Sequence, residues 1–207
     1  MLPVIHAVTT DEIVARADFL DQALGVMRLL GARGAVQLRA PRTSGATIYA
    51  AAHALAAHQE TTGAWLVITD RVDVALATQA RGVQLTSRSM SVADALAVAP
   101  SLAIGASAHS IAEARAACEA GATWLVVGQL SDERRGVVGP RALRELVAEC
   151  GAPVVVIGGV TPGHVRALRG LGVHGVAAIR GIWDVQSAAD AAAAYLAGYD
   201  AIPPRSS

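Results

Sequence analysis

His109 is the side chain of this sequence best suited to move a proton. It lies in the segment GASAHS, just after an apolar run and just before Ser110, which has the sequence context of a helix N-cap. An imidazole in such a place can accept and return a proton near neutral pH. We therefore predict that His109 is the catalytic residue. The alternative is a histidine that only makes a hydrogen bond at the end of a loop.

Two glycine-containing segments near the end of the chain could bind a phosphate. VVVIGGV occupies residues 154–160 and GVAAIRG occupies residues 175–181. Glycines allow backbone N–H groups to approach an anion, and an arginine adds a charged donor. We predict phosphate binding by Gly158, Gly159, Ile179, Arg180 and Gly181. The alternative is that the glycines only turn the chain.

Other polar residues follow other apolar runs. We predict that Arg39, Asp70, Ser107 and Gln129 also contact the substrate, because each lies at or near the end of such a run. The remaining histidines are predicted to be packed, or to lie away from these ends; they are His6, His53, His58, His164 and His174.

The elements that must position these residues are eight short apolar runs separated by alanine-rich segments. The runs are residues 3–8, 35–39, 64–69, 82–85, 102–107, 123–128, 153–157 and 175–179. Continuous apolar runs that alternate with helical segments are typical of a parallel sheet covered by helices. Eight repeats predict an α/β fold, a single (β/α)₈ TIM barrel over residues 1–200, with a flexible tail at 201–207. A doubly wound open sheet is the alternative.

In such a barrel the predicted site residues would meet at one end. Active sites lie at the carboxyl ends of the strands, and a phosphate is commonly held by the loops after strands seven and eight. Those are the loops in which the two glycine segments fall. The same end would carry His109, after strand five, and Arg39, after strand two.

Composition excludes several classes of function. The chain has 53% hydrophobic residues, 17 basic and 17 acidic residues, and a formal net charge of zero, which argues against a nucleic-acid partner. No apolar run approaches the ~20 residues that a membrane helix needs. Every basic residue is arginine, so a lysine Schiff base is excluded. No signal peptide is evident and Cys118 and Cys150 form no motif, so we expect a cytoplasmic protein with reduced thiols.

The combined segments resemble one family. HAVTT, VQLRAP, DRVDVALATQARGVQL, GASAHS, PVVVIGGVTPGHV and GVAAIRGI occur in the order found in the thiamine phosphate synthase / thiazole tautomerase (TenI) superfamily. The resemblance covers nearly the whole chain and implies a (β/α)₈ barrel. It also implies one of two activities, both in thiamine biosynthesis.

The synthase joins a pyrimidine pyrophosphate to a thiazole phosphate with Mg²⁺. The resemblance implies a lysine in the strand-two loop, where this chain has Pro41, and Asn-Asp after strand three, where it has Thr69 and Asp70. A second aspartate is implied at the position of Ser89. The strand-six loop, with Arg134 and Arg135, lacks the lysine and threonine of the synthase. One carboxylate provides poorly for Mg²⁺.

The tautomerase needs only a proton carrier, a phosphate anchor and a partner for the substrate carboxylate. His109, the glycine segments with Arg180, and Arg39 would supply them. From the sequence we therefore expect a metal-independent thiazole tautomerase, an isomerase, with the synthase or a non-catalytic phosphate-ligand binding protein as alternatives. We expect a small phosphorylated thiazole ligand, no cofactor (Mg²⁺ only for the synthase), no nucleic-acid or membrane partner, and a homo-oligomer.

Overall fold

Eight parallel strands form a closed barrel in chain order, as the sequence predicts. The structure is a computed structural model that describes residues 1–128 and 139–201. The strands are β1 (Ile5–Val8), β2 (Gly34–Leu38), β3 (Trp65–Thr69), β4 (Gly82–Leu85), β5 (Ala103–Ala108), β6 (Trp124–Gly128), β7 (Val154–Ile157) and β8 (Gly175–Ala178). Each strand lies within two residues of its predicted limits. Closure excludes the doubly wound alternative, because Ile5 pairs with both Gly34 of β2 and Val176 of β8.

Helices cover the outside of the barrel. They are α1 (Asp11–Val14), α2 (Phe19–Leu30), α3 (Gly45–Ala56), α4 (Gln59–Thr62), α5 (Val72–Ala77), α6 (Val92–Val98), α7 (Ile111–Glu119), α8 (Pro140–Glu149), α9 (Pro162–Gly170), α10 (Arg180–Trp183) and α11 (Ala188–Asp200). A short 3₁₀ turn, Gly31–Arg33, precedes β2. Ser44, Ser91, Ser110 and Ser187 cap helices by accepting a backbone N–H from the first turn. These hydroxyls satisfy amide groups that a helix start leaves without partners.

Trp124 fills the lower part of the barrel interior. It is fully buried and lies beside His6 and Trp65, with ring centroids 6.2 and 6.5 Å away. The neighbouring strands make room with glycine: a Cβ on Gly105 would lie 2.1 Å from Trp124 Cε2, and one on Gly82 would lie 3.0 Å from its ring. Large and small side chains therefore interlock inside the barrel. Trp124 therefore occupies the end of the interior opposite to the cavity described below.

His6 is buried and packed, as predicted from its place in the first strand. Its exposed fraction is 0%, and its Nε2 lies 3.3 Å from the Pro3 carbonyl oxygen. Burial lowers the pKa of His6 to about 4, because a charged imidazole would lose its hydration there. His6 is therefore neutral in the folded protein near pH 7, and it is not among the residues that line the cavity described below.

Further predictions concern membrane helices, the two cysteines and the C-terminal tail. No helix in the described part of the chain is long and apolar enough to cross a membrane. Both cysteines are free thiols, and burial raises the pKa of Cys150 to about 11. Residues 202–207 lie outside the described residues, so the flexible tail predicted for 201–207 stays a prediction, as do the cytoplasmic location and the homo-oligomer.

Candidate active site

A cavity of about 640 Å³ opens at the carboxyl ends of the strands. This volume lies within the range of pockets that bind small molecules. The cavity brings together five of the predicted site residues, which are Arg39, Asp70, Ser107, His109 and Ile179. The barrel interpretation therefore places them at a common opening, although they come from four different strand ends.

Two glutamines form a polar floor that the sequence analysis missed. Gln37 Nε2 donates to Thr69 Oγ1 at 3.1 Å, and Gln84 Nε2 donates to Ser107 Oγ at 3.2 Å. Both glutamines are buried, and their Oε1 atoms have no hydrogen-bond partner among the described residues. Buried acceptors without partners are costly, so this floor suits a ligand that carries N–H donors. The signal in the sequence was a glutamine within each of the apolar runs VQL and GVQL.

Arg39 projects from the end of β2 with its backbone fixed. Thr9 Oγ1 accepts the Arg39 backbone N–H at 3.0 Å and lies 3.2 Å from the Arg39 carbonyl oxygen, to which it donates. The Arg39 side chain is exposed and makes no hydrogen bond or ion pair with the described residues. A fixed backbone with an unpaired guanidinium at the cavity is suited to bind an anion from the substrate.

Asp70 occupies a strained backbone position directly after β3. Its φ is 61°, in the left-handed region that few non-glycine residues adopt. The carboxylate accepts the Thr86 backbone N–H at 2.7 Å and the Thr86 hydroxyl at 2.8 Å. Asp70 therefore fastens the loop after β4 to the end of β3. Such strain is common at functional sites and is maintained by the surrounding contacts.

His109 lies at the exposed rim of the cavity, next to the end of β6. A Cβ on Gly128 would lie 3.9 Å from His109 Nδ1, so the imidazole lies over this glycine. The Glu113 carboxylate accepts the His109 backbone N–H at 2.8 Å, while Ser110 Oγ accepts the Glu113 N–H at 3.2 Å. Glu113 lies three residues after the N-cap Ser110, the spacing at which a glutamate carboxylate can accept the N-cap backbone N–H. Instead its carboxylate binds one residue earlier and fixes the backbone of His109.

The predicted phosphate residues after β7 and β8 are only partly brought together. Gly158 and Gly159 have φ of 108° and 58°, conformations that favour glycine. Ile179 lines the cavity, whereas Gly158, Gly159, Arg180 and Gly181 are not among its lining residues. Gly181 has a packing reason to be glycine, because a Cβ there would lie 2.1 Å from Tyr195 Oη. Phosphate binding by these two loops stays a prediction.

Gln129, Arg134 and Arg135 lie in the segment 129–138, outside the described residues. The prediction that Gln129 contacts the substrate therefore also stays a prediction.

The lining of the cavity is rich in cations. Arg39, Arg71 and Arg88 contribute three guanidinium groups, and Asp70 contributes the one carboxylate of the described lining. Arg71 is bound by Asp73 through two hydrogen bonds of 2.9 and 2.6 Å, and this pairing lowers the pKa of Asp73. Arg39 and Arg88 have no such partner in the described part of the chain. The cavity therefore favours an anionic ligand.

The described residues do not provide a site for Mg²⁺ of the kind that the synthase resemblance implies. Asp70 is the one acidic residue among the described residues that line the cavity, and both of its oxygens already accept hydrogen bonds from Thr86. Ser89, where a second aspartate is implied, has a buried hydroxyl without a partner among the described residues. No group of three or more potential metal ligands occurs among residues 1–128 and 139–201. Mg²⁺ prefers several oxygen ligands with carboxylates among them, so this donor set does not fit.

The fold and the cavity define a (β/α)₈-barrel protein with an arginine-lined cavity at the carboxyl ends of its strands. The chain belongs to the thiamine monophosphate synthase (TMP-TENI) family, whose model matches residues 5–182. It is 36% identical over 169 residues to a thiamine-phosphate synthase from Pyrococcus furiosus, covering 78% of this chain and 82% of that protein. It is 33% identical over 199 residues to the thiamine-phosphate synthase of Chlorobium luteolum, covering 93% and 92%.

A solved structure gives the same result at the level of the fold. Thiamine phosphate pyrophosphorylase from Pyrococcus furiosus superimposes with a TM-score of 0.85 at 29% identity, covering 96% of both chains. The expected family and fold are therefore confirmed.

The expected activity was wrong. We predicted a thiazole tautomerase, an isomerase, but the relatives that match over most of their length are named thiamine-phosphate synthase, which is a transferase. The prediction gave most weight to Pro41, Thr69 and Ser89, at which the chain departs from the synthase pattern. A few loop positions around one site proved a weaker guide than the similarity of the whole chain.

Proposed function

We propose that this protein is a transferase of the thiamine-phosphate synthase type, which joins a pyrimidine pyrophosphate to a thiazole phosphate and releases pyrophosphate. The observation that carries the proposal is the identity to synthases over 78–93% of the chain. The cation-rich cavity is in accord with it, because both substrates are phosphorylated.

The cavity offers a distinct place to each part of the substrates. The unpaired Gln37 and Gln84 oxygens would accept hydrogen bonds from N–H groups of the pyrimidine ring. The pyrophosphate would lie above this floor, towards Arg39 on the rim. The thiazole phosphate would lie against the loops after β7 and β8, where Gly158 and Gly159 turn the chain.

The reaction then needs mainly positioning and charge stabilisation. The thiazole ring nitrogen supplies the electron pair of the new C–N bond, and the bond between the pyrimidine methylene carbon and a pyrophosphate oxygen breaks. Holding both rings in one cavity removes much of the entropic cost of bringing two molecules together. Arg39 and His109 would stabilise the negative charge that develops on the departing pyrophosphate.

The test is direct detection of the joined product. Purified protein is incubated with both substrates, and thiamine phosphate is quantified by mass spectrometry. We expect product with the wild-type protein, at least a tenfold lower rate for Arg39→Gln, and an unchanged rate for Arg28→Gln. Arg28 is a matched control, because it is an exposed arginine in the last turn of α2, away from the cavity. Absence of product with folded wild-type protein would reject the proposal.

A further inference from the structure

The loop after β4 presents a second arginine to the cavity, Arg88. Arg88 lines the cavity, is exposed, and has no hydrogen-bonded side-chain partner within the described part of the chain. It directly precedes Ser89, the position at which the synthase resemblance implies an aspartate. The loop thus carries a positive charge beside the position where a negative one was implied.

Hydrogen bonds fix the conformation of the loop after β4. Thr86 donates its backbone N–H and its hydroxyl to the Asp70 carboxylate, at 2.7 and 2.8 Å. The Ser89 N–H donates to the Thr86 carbonyl oxygen at 3.0 Å, which closes a tight turn around Arg88. The carboxylate of Asp70 therefore holds the turn that carries Arg88.

Some of the charged side chains at the cavity already have a partner. Asp70 has both oxygens engaged by Thr86, and Arg71 is paired with Asp73. Among the described residues, the two cavity arginines left for a ligand are Arg39 and Arg88. A pyrophosphate carries several negative charges, and guanidinium groups bind phosphate oxygens through two parallel hydrogen bonds. Two arginines can therefore supply charge that a divalent cation would otherwise supply.

We propose that this protein binds the pyrophosphate of its substrate through Arg88 together with Arg39, without a bridging Mg²⁺. Arg88 is then a specificity-determining residue: it selects the metal-free pyrophosphate, and Asp70 acts through Thr86 as a positioning residue. This inference rests on the proposed function for the identity of the substrate, but it is tested by binding and does not depend on turnover.

The test is calorimetric titration of the protein with inorganic pyrophosphate, once with a chelator and once with excess Mg²⁺. We expect the wild-type protein to bind at least as tightly in chelator as in Mg²⁺. Arg88→Gln should weaken binding at least tenfold in chelator, and Arg28→Gln should leave it unchanged. Circular dichroism checks that each variant is folded, which we expect for exposed side chains.

Three results would overturn the inference. Binding that requires Mg²⁺ would overturn the inference and leave the proposed function intact, because a synthase with a metal site would behave in this way. Binding in chelator that Arg88→Gln does not weaken would also overturn it. Absence of binding under both conditions would overturn it as well. The proposed function would then be judged separately by the formation of thiamine phosphate.

Discussion

His109 combines a fixed backbone with an exposed imidazole at the cavity rim. Glu113 accepts its backbone N–H at 2.8 Å, and the ring lies over Gly128. This arrangement fixes the backbone and leaves the imidazole without a hydrogen-bond partner among the described residues, so the ring is available for contact with a substrate. The sequence placed His109 correctly at a strand end. In the proposed transferase its role would differ from the proton transfer predicted from the sequence, because a leaving pyrophosphate needs a hydrogen-bond donor and not a base.

We predict that His109→Gln lowers the rate of thiamine phosphate formation by about 10- to 100-fold, because a charged hydrogen bond to the leaving group contributes about 1.5–3 kcal/mol. His53→Gln is the matched control, since His53 lies exposed on α3 and its ring stacks on Tyr49. Steady-state kinetics of both variants measure the difference. Equal rates for His109→Gln and the wild type would remove His109 from the site.

His6 makes the stability of the fold depend on pH. Its pKa is about 4 in the folded state, because it is buried, and about 6.5 when the chain is unfolded. The unfolded chain therefore binds more protons between pH 6.5 and 4, and stability falls as the pH is lowered through this range. His174, whose pKa is also lowered by burial, acts in the same direction.

We predict that lowering the pH from 7.5 to 5 costs the wild type about 2 kcal/mol of unfolding free energy through His6. His6→Leu should lack this part of the pH dependence, whatever its stability at pH 7.5. Urea unfolding at the two pH values measures both proteins. If the loss between pH 7.5 and 5 is the same for both, the buried neutral His6 is not its source.

At the level of elements, the strands were predictable and the loops were not. Each strand is buried on both faces, and such strands have continuous apolar sequences that can be recognised without the structure. The loops are different, because their geometry depends on contacts between residues far apart in the chain. The contact of Asp70 with Thr86 joins two loops and has no local signal. The same holds for the Glu113 carboxylate, which binds His109 instead of the predicted N-cap residue.

The contact of Asp70 with Thr86 should contribute to stability as one unit. We predict that Asp70→Ala and Thr86→Ala each lower the unfolding free energy by about 1–3 kcal/mol, because each removes hydrogen bonds to a charged group. The double variant should cost clearly less than the sum, since the two residues share the same bonds. Chemical denaturation of the four proteins gives the coupling energy, and additive losses would show that the contact is not formed.

The loop after β7 gives a second prediction at this scale. Gly159→Asp should weaken binding of a thiazole phosphate at least tenfold, because it adds a carboxylate and a Cβ at a φ of 58° where the anion is expected. Arg180→Ala tests whether Arg180 binds the phosphate. Binding weakened by about 1–3 kcal/mol would make Arg180 a ligand, and a smaller loss would show that it is not. Because Arg180 does not line the cavity, we expect the smaller loss of affinity. Calorimetry with the thiazole phosphate decides, and unchanged binding by Gly159→Asp would place the phosphate elsewhere.

For the whole molecule, eight repeats of strand and helix were enough to predict the closed barrel and the end at which polar residues gather. The activity could not be predicted as well, because it depends on a small number of loop residues within a shared fold. Pro41, Thr69 and Ser89 suggested that the synthase chemistry was lost. Among the described residues, the cavity lining includes Arg39 and Arg88, which we propose bind the pyrophosphate without the metal that a carboxylate at position 89 would help to hold.

The most direct test of the proposed transferase is the stoichiometry of the reaction. Thiamine phosphate and free pyrophosphate are measured over time with the pyrimidine pyrophosphate alone, the thiazole phosphate alone, and both together. We expect no turnover with either substrate alone, and one pyrophosphate released per thiamine phosphate with both. Conversion of the thiazole phosphate without the pyrimidine substrate, or no joined product from folded protein, would contradict the account.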